Sequence, residues 1–405
     1  MIPMQQSFNR EVIDKMTYLV GNTDTAMNLP FVPAKEPFDD EIVEFLNSVS
    51  KLLMKDSRNR TYSDVVTLGF WLRKASIVKM KEQYGFSNDD IHLGRGVAFH
   101  IAPSNVPVNF AYSLVSGLLM GNSNIVRVPS KDFEQVDIIA EAFNRSLEVF
   151  GHIRPYIVLV RYERSKEIND ALSSITDTRI IWGGNETIKE IRKSALPPQS
   201  TEITFADRYS IAVIDADLYL VTENKVEIAQ DFYNDTYFSD QNACTSPKMV
   251  VWLGKKKKEA KKLFWNELHQ LVKQKYTFQS MMGINKLASS YLIAAEEPGT
   301  KIERHTDNWI IRVNVPIITD HLMDLKDNCG YFFEYDCDNV MDLRPLVDDR
   351  RCQTIGLLGD REVLTPLIKL GIKGIDRVVP IGKTMDFELI WDGYDLPAML
   401  TRCIR

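Results

Sequence analysis

Between residues 38 and 84 apolar side chains recur three and four positions apart, and IVEFLNSVSKLLM and VVTLGFWLRKASIVKM each lay one apolar stripe along a helix. The spacing predicts an amino-terminal layer of packed helices. From Gly96 the pattern changes to short β-branched runs separated by helical ones: VAFHI, NFAYSLVSGLLM, NIVRV, QVDIIAEAFNRSLEVF, YIVLV, a further helical stretch, and RIIW. Strands alternating with helices at these lengths predict a parallel sheet with crossover helices. Gly121-Asn122 closes the helix before NIVRV as a C-cap glycine would, and Gly183-Gly184 ends the RIIW strand ahead of a helix expected to start near Thr187. Backbone N–H groups at such a turn suit a pyrophosphate, although no complete G-x-G-x-x-G is present and paired glycines are often only turns. A second alternation starts at YSIAVID and reaches KMVVWL directly after SDQNACTSP. In the final third, strands such as WIIRVNV and RVVP stand out, but their order in a sheet is not readable from the pattern. A domain boundary is expected near Ala206.

Composition narrows the class. A chain of 405 residues with 44% hydrophobic residues can bury more than one core, since single cores rarely grow past ~250 to 300 residues. The net charge of -6, from 49 basic against 55 acidic residues, gives no overall attraction to polyanions, so nucleic acid is not expected as a partner. The longest apolar run, Val106 to Met120, includes Asn109 and two serines and falls short of the ~20 residues that span a bilayer. No membrane span is expected. The opening MIPMQQSFNREVIDKM mixes acids with its bases and has no apolar core before a small-residue cleavage site, so no secretory signal and a cytosolic location are expected. Cysteines at 244, 329, 337, 352 and 403 form no Cys-x-x-Cys pair, and the six histidines form no His-Glu-x-x-His helix. Neither a disulfide framework nor a metal is expected. The run KKKKEAKK at 255 to 262 reads as a solvated helix start.

Three positions could carry chemistry. Cys244 has Gln241, Asn242, Thr245 and Ser246 as polar neighbours and Pro247 to stop a helix, so its loop would expose a thiol to a cleft and offer backbone N–H groups to a thiolate. On chemistry alone a nucleophile and a plain loop cysteine both remain open. Glu202, in QSTEITFADRYSIAVID, precedes a strand by a few residues and by itself reads as a surface carboxylate. Asn105, in HIAPSNVPVNF, follows a strand between two prolines, at the carboxyl edge where open α/β sheets bind ligands. Its amide could stabilise an oxyanion or simply form a turn.

Taken in order, three segments resemble a known family. GVAFHIAPSNVPVNFAYSLVSGLLMGNSNIVRVPSK is similar to the aldehyde-dehydrogenase stretch of strand, Pro-x-Asn-x-Pro turn, helix, Gly-Asn cap and second strand that forms a cofactor site. TRIIWGGNETIKEIRKSALPPQSTEITFADRYSIAVIDADLYLV resembles the following stretch, with its glycine turn, glutamate and Ala-Asp-Leu. SDQNACTSPKMVVW resembles the nucleophile loop, and its Gln-Asn-Ala-Cys-Thr-Ser-Pro looks like the LuxC-type acyl-CoA reductase branch, the fatty-acid reductases. QTIGLLGD, RVVPIG and FELIWDGYDL are also similar to that branch, so the resemblance runs over roughly residues 91 to 400.

The resemblance implies an α/β fold with a Rossmann-type cofactor-binding domain and an α/β catalytic domain carrying the nucleophilic cysteine. On that plan residues 1–90 are a helical layer of the cofactor domain, 91–206 bind dinucleotide and 207–380 carry the cysteine. Residues 381–405 return to the cofactor domain or form an oligomer contact. It further implies Cys244 as nucleophile, Glu202 at the general-base position, and an oxyanion hole of the Asn105 amide and the Cys244 N–H. Ser104, Arg127, Lys131, Gly183, Gly184 and Asn185 are the implied cofactor contacts. Two departures matter. Glu202 is followed by Ile-Thr-Phe where the superfamily has Leu-Gly-Gly, and Lys131 stands where a glutamate commonly holds the ribose hydroxyls. A lysine there, helped by Arg127, attracts a 2'-phosphate that a carboxylate would repel, so NADPH is expected over NADH. The expected activity is NADPH-dependent reduction of an acyl-CoA thioester, with a fatty acyl chain, to the aldehyde through acyl-Cys244. The expected partners are an acyl-CoA or acyl-carrier donor, an acyl-protein synthetase or other acyl-transfer protein, and further copies of the chain in a homo-oligomer. The alternatives are an aldehyde dehydrogenase working in the oxidative direction, with Glu202 activating water, and a non-redox acyl carrier.

Overall fold

In the computed structural model residues 8–86, 90–304 and 307–405 are described. The chain divides into two compact units, Met1–Ala206 with Phe387–Arg405, and Asp207–Asp386. Residues 381–386, assigned above to the carboxyl-terminal segment, fall in the second unit.

The first unit holds strands β1 (Thr17–Val20), β2 (Ile91–Gly94), β3 (Val97–Ile101), β4 (Ser123–Arg127), β5 (Ile157–Arg161), β6 (Thr178–Trp182) and β7 (Thr201–Phe205). Six of them form one sheet in the order β1-β5-β4-β3-β6-β7, parallel except for the antiparallel edge strand β1. The amino-terminal layer is therefore not purely helical: Thr17–Val20 completes the sheet edge. The chain runs outward from β3 to β4 and β5, then returns to the other side of β3 with β6 and β7, so the winding reverses at β3. Every residue of β3 and β6 is buried, as expected for strands covered on both faces.

The helical stripe lies where the periodicity placed it. The helix Asp40–Lys55 is capped by Asp39, which accepts from the N–H groups of Glu41 and Ile42, and it buries Ile42, Phe45, Leu46, Val49 and Leu53 completely. Losing the Phe45 ring from this stripe would cost ~3–5 kcal/mol. The second periodic stretch is two helices, Ser63–Trp71 and Lys74–Tyr84, which separate where Arg73 is extended. The break lets each short helix bury its own residues, Val65 and Leu68 in one and Ile77 and Met80 in the other.

Gly121 follows the helix Asn109–Leu119 at φ 78°, where an added Cβ would sit 2.0 Å from the Lys35 carbonyl oxygen. Asn122 beside it accepts from the N–H groups of Arg95 and Gly96, at 2.8 and 3.2 Å, and donates to the Leu400 carbonyl at 2.9 Å. That Gly-Asn pair thus ties the carboxyl-terminal segment to the sheet.

The second unit holds β8 (Tyr209–Asp215), β9 (Pro247–Leu253), β10 (Lys301–Arg304), β11 (Ile311–Asn314), β12 (Tyr331–Asp336), β13 (Cys352–Leu358) and β14 (Arg377–Pro380). They form one sheet in the order β10-β11-β12-β9-β8-β13-β14, antiparallel only at β10. The central strand β9 is buried from Pro247 to Trp252. The chain then re-enters the first unit with β15 (Ile390–Trp391), β16 (Tyr394–Asp395) and β17 (Thr401–Ile404), the last pairing antiparallel with β2.

Candidate active site: a nucleotide-binding edge and a cysteine loop

In the first unit the reversal of winding at β3 leaves a crevice at the carboxyl ends of the strands, the usual place for a ligand in an open α/β sheet. Four of the expected site residues, three cofactor contacts and Asn105, leave this edge together. Ser104 and Asn105 lie exposed in the turn after β3, and the Asn105 amide makes no hydrogen bond among the described residues. Gly183 and Gly184 follow β6 and lead into the helix Asn185–Ile191, which begins two residues earlier than the Thr187 start read from the sequence. A Cβ on Gly184 would meet nothing within 4 Å, so the protein itself does not require glycine there. The open space leaves room for a ligand to approach the backbone.

At the end of β4 the two expected bases differ. The Arg127 guanidinium stacks over the Tyr162 ring at 4.5 Å and donates to the Tyr162 carbonyl at 3.2 Å, so it is partly committed within the protein. Lys131 is exposed, with its ammonium 5.0 Å over the Phe133 ring and no carboxylate within ion-pair distance among the described residues. Sequence reading missed Arg161, at the carboxyl end of the adjacent strand β5. It pairs with Asp132 at 2.9 Å, yet its Nε and Nη2 are buried without partners. Orphaned guanidinium donors on a side chain paired with Asp132, the residue after Lys131, suit an anion; a lone arginine ending a strand carries no such signal in sequence.

Glu202 does precede the strand YSIAVID, now β8, but it also lies inside a further strand that the pattern did not show, β7, directly across from Arg179 of β6. Its Oε2 accepts from Arg179 Nε at 2.9 Å and Nη2 at 2.5 Å, and its Oε1 accepts from Arg192 Nε at 2.6 Å. The Arg179 side chain is 3% exposed and directs Nη1 to Ser173 Oγ and the carbonyls of Ile191 and Ser194. Glu202 is the counter-charge of that buried guanidinium. It sits three residues before the carboxyl end of its strand, so the structure does not gather it with Ser104, Asn105 and Gly183 at the edge of the same sheet.

In the second unit the cysteine loop enters the amino end of β9. Asp240 and Gln241 take left-handed backbone conformations, φ 51° and 57°, which turn the chain sharply after Ser239. Such strain in two consecutive side-chain-bearing residues persists only where the surroundings hold it. Gln241 does the holding. Fully buried, it donates from Nε2 to the Pro247 and Tyr331 carbonyls and accepts at Oε1 from the N–H groups of Gly330 and Tyr331. Cys244 is half-buried at the loop's far end, with its carbonyl accepting from Ser210 Oγ at 2.7 Å. Thr245 and Ser246 are buried behind it.

None of the five cysteines is in a disulfide. Burial pushes the Cys337 thiol up to about 11 and the Cys352 thiol up to about 12, which keeps both as inert thiols. Cys329 is raised by burial as well. One group of donor atoms does come within 4.8 Å among the described residues, on Asp90, His92 and Cys403. The β2–β17 pairing sets His92 opposite Cys403, a proximity that spacing along the chain does not reveal. Asp90 already pairs with Arg405 at 3.4 Å. Among the described residues no helix is long and apolar enough to cross a membrane.

Two units of this construction define an aldehyde-dehydrogenase fold. Lactaldehyde dehydrogenase of Escherichia coli superposes with TM-score 0.63 at 14% identity, over 99% of this chain and 90% of that one. Salicylaldehyde dehydrogenase of Pseudomonas putida G7 gives 0.64 at 14% identity, over 99% and 89%. Within that fold the chain belongs to the acyl-CoA reductase (LuxC) family, whose model matches residues 25–402. Long-chain acyl-protein thioester reductases from Photorhabdus luminescens and Vibrio harveyi are each 24% identical, over 73% and 77% of this chain. The matched segments span 60% and 63% of those relatives' own lengths.

Proposed function

We propose that this protein reduces an acyl thioester to an aldehyde through an acyl-Cys244 intermediate. The observation that carries the reading is the Cys244 loop itself: a polar, half-buried thiol, pinned by Gln241 at the head of the central strand, in a chain of the acyl-CoA reductase family. The Cys244 thiolate attacks the acyl carbonyl, the thiol of the donor leaves, and the acyl group is held as an enzyme thioester. The Cys244 N–H is the proposed donor to the oxyanion. When bound, the nicotinamide supplies the hydride that reduces this thioester. The resulting thiohemiacetal on Cys244 then collapses to aldehyde and regenerates the thiolate. Exclusion of water protects the thioester from hydrolysis in the meantime.

Ser104, Gly183, Gly184 and Asn185 at the carboxyl edge would hold a dinucleotide, with Lys131, Arg127 and Arg161 toward the adenosine end. The orphaned Arg161 donors and the uncommitted Lys131 ammonium favour a phosphate on the ribose, and so NADPH. Glu202 we assign as a structural counter-ion. A carboxylate accepting three N–H bonds from two guanidinium groups has its lone pairs engaged, which makes it a poor water-activating base. That engagement favours reduction over the hydrolytic, oxidative direction. The names of the relatives support an acyl-protein as donor beside acyl-CoA, and hence an acyl-transfer partner. A steady-state assay of NADPH and NADH consumption across acyl-CoA chain lengths tests the reading. Absence of any acyl-dependent oxidation of either cofactor, with no acyl group trapped on the Cys244 peptide, would refute it.

A further inference from the structure

Lys248 is the second residue of β9, four positions after Cys244, and only 4% of it is exposed. An ammonium buried to this degree is costly unless its surroundings compensate. Here the compensation is neutral. Nζ donates to the Gln241 carbonyl and to Asn328 Oδ1, and reaches the Asp327 carbonyl at 3.4 Å. Among the described residues no carboxylate lies within ion-pair distance of it. Asp327 turns its carboxylate elsewhere, to Ser289 Oγ at 2.7 Å and the Asn328 N–H at 2.8 Å.

Two of the three acceptors frame the cysteine loop. Gln241 is its stapling residue, and Asn328 also donates from Nδ2 to Asn242 Oδ1 at 2.9 Å. The charged and titratable groups facing Lys248 are Lys326, Asp327 and Cys329 from the segment before β12, and Cys244 from the loop. Lys326 repels the ammonium, and Cys244, Asp327 and Cys329 favour it, Cys244 foremost. Burial outweighs these and brings the lysine down to about 8, so it is still predominantly charged at neutral pH. Coulombic coupling is reciprocal: the preference a thiolate at Cys244 confers on the Lys248 ammonium is conferred equally by that ammonium on the thiolate.

We infer that Lys248 is the positioning residue of this site, holding the loop through Gln241 and Asn328 while its unpaired charge keeps the Cys244 sulfur as thiolate. The task a basic side chain would perform by removing a proton is here performed by a fixed field, and the thiol proton goes to solvent. The inference rests on Cys244 being the nucleophile.

The test is the pH dependence of Cys244 alkylation by iodoacetamide, read by peptide mass spectrometry on the full chain without acyl donor or nicotinamide. Wild type should show a reactivity midpoint at least ~1 pH unit below the ~8.5 of an ordinary thiol. In Lys248→Met the midpoint should rise by about 1 unit or more, slowing alkylation at pH 7 about tenfold. Lys248→Arg keeps the charge and should stay near wild type; a loop merely misplaced by losing lysine would change rates at every pH without moving the midpoint. A wild-type midpoint at ~8.5 or above overturns the inference with no variant needed, as does a folded Lys248→Met with the wild-type midpoint. Alkylation requires neither substrate, so failure here leaves the reductase reading standing, and failure of that reading shows separately as absent acyl-Cys244.

Discussion

Arg179 in the first unit and Lys248 in the second are both buried cations on interior strands, and they have opposite surroundings. Arg179 faces Glu202 across the β6–β7 pair and finds three further oxygens for its remaining N–H group, so its charge is cancelled where it stands. Lys248 finds only neutral oxygens, and its charge remains to act on the thiol loop four residues away. A cancelled buried charge holds strands together; an uncancelled one costs stability and can be retained for chemistry. The comparison also supports the reading of Glu202 proposed above, since its carboxylate faces a buried guanidinium and accepts from it twice.

The largest expected effect breaks the chemical side of that comparison. Cys244→Ser should lower acyl reduction by ~10³-fold or more, since the hydroxyl is a far weaker nucleophile than a thiolate. Mass-tagged acyl groups should appear on the Cys244 peptide of wild type when the reductant is withheld; label on Cys329 or Cys403 instead would mean a different thiol carries the reaction.

Asp235 sharpens it from the acidic side. Fully buried, it accepts from the N–H groups of Gly382 and Thr384 at 2.6 and 3.1 Å, and burial pushes its carboxyl up to about 7. A group raised above its unfolded value contributes stability below that value and loses it as pH rises through the folded one. Stability should therefore fall between about pH 4 and pH 7, by up to ~4 kcal/mol for a shift of roughly three units. Asp235→Asn should flatten that slope in urea melts; an unchanged slope would show that another group dominates.

Glu202→Gln tests the cancelled pair. Leaving Arg179 without its counter-charge should cost about 3 kcal/mol of stability, measured as a lower denaturant midpoint. Replacing both residues, with Arg179→Met and Glu202→Leu, should recover part of the loss. The pH profile of Cys244 alkylation should not move in the single variant. If it moves while stability holds, Glu202 belongs to the thiol's chemistry after all.

The smallest effect concerns the nucleotide edge. Lys131→Glu should weaken NADPH by about 2 kcal/mol through loss of a charge-assisted bond and added repulsion, and NADH by much less. The wild-type preference for NADPH should shrink as salt rises. Equal losses for both cofactors in a fluorescence titration would make Lys131 an ordinary surface base, and a parallel loss in Arg161→Gln would bring that side chain into the phosphate site.

Much of this molecule was legible from local pattern because local pattern reports local physics. Alternating runs marked β3 to β6 because strands covered on both faces must be apolar throughout, and a polar loop ahead of an apolar run marked Cys244 because a buried strand begins at Pro247. The turn residues Asn105, Gly183 and Gly184 were readable for the same reason: they stand where strands end. The pairing of Glu202 was not legible because Ile-Thr-Phe after it belongs to its own strand, and because its partner Arg179 is 23 residues away. Lys248 looked like the polar start of a strand. By itself the sequence determined the two α/β units, the strand ends that hold the candidate ligand contacts, and a cysteine in a polar loop ahead of the buried strand at Pro247. Which buried charges are cancelled and which are left to act was decided only by the tertiary structure, since that depends on oxygens brought within 3 Å of a nitrogen from Asn328 or Glu202, positions that no spacing along the chain encodes.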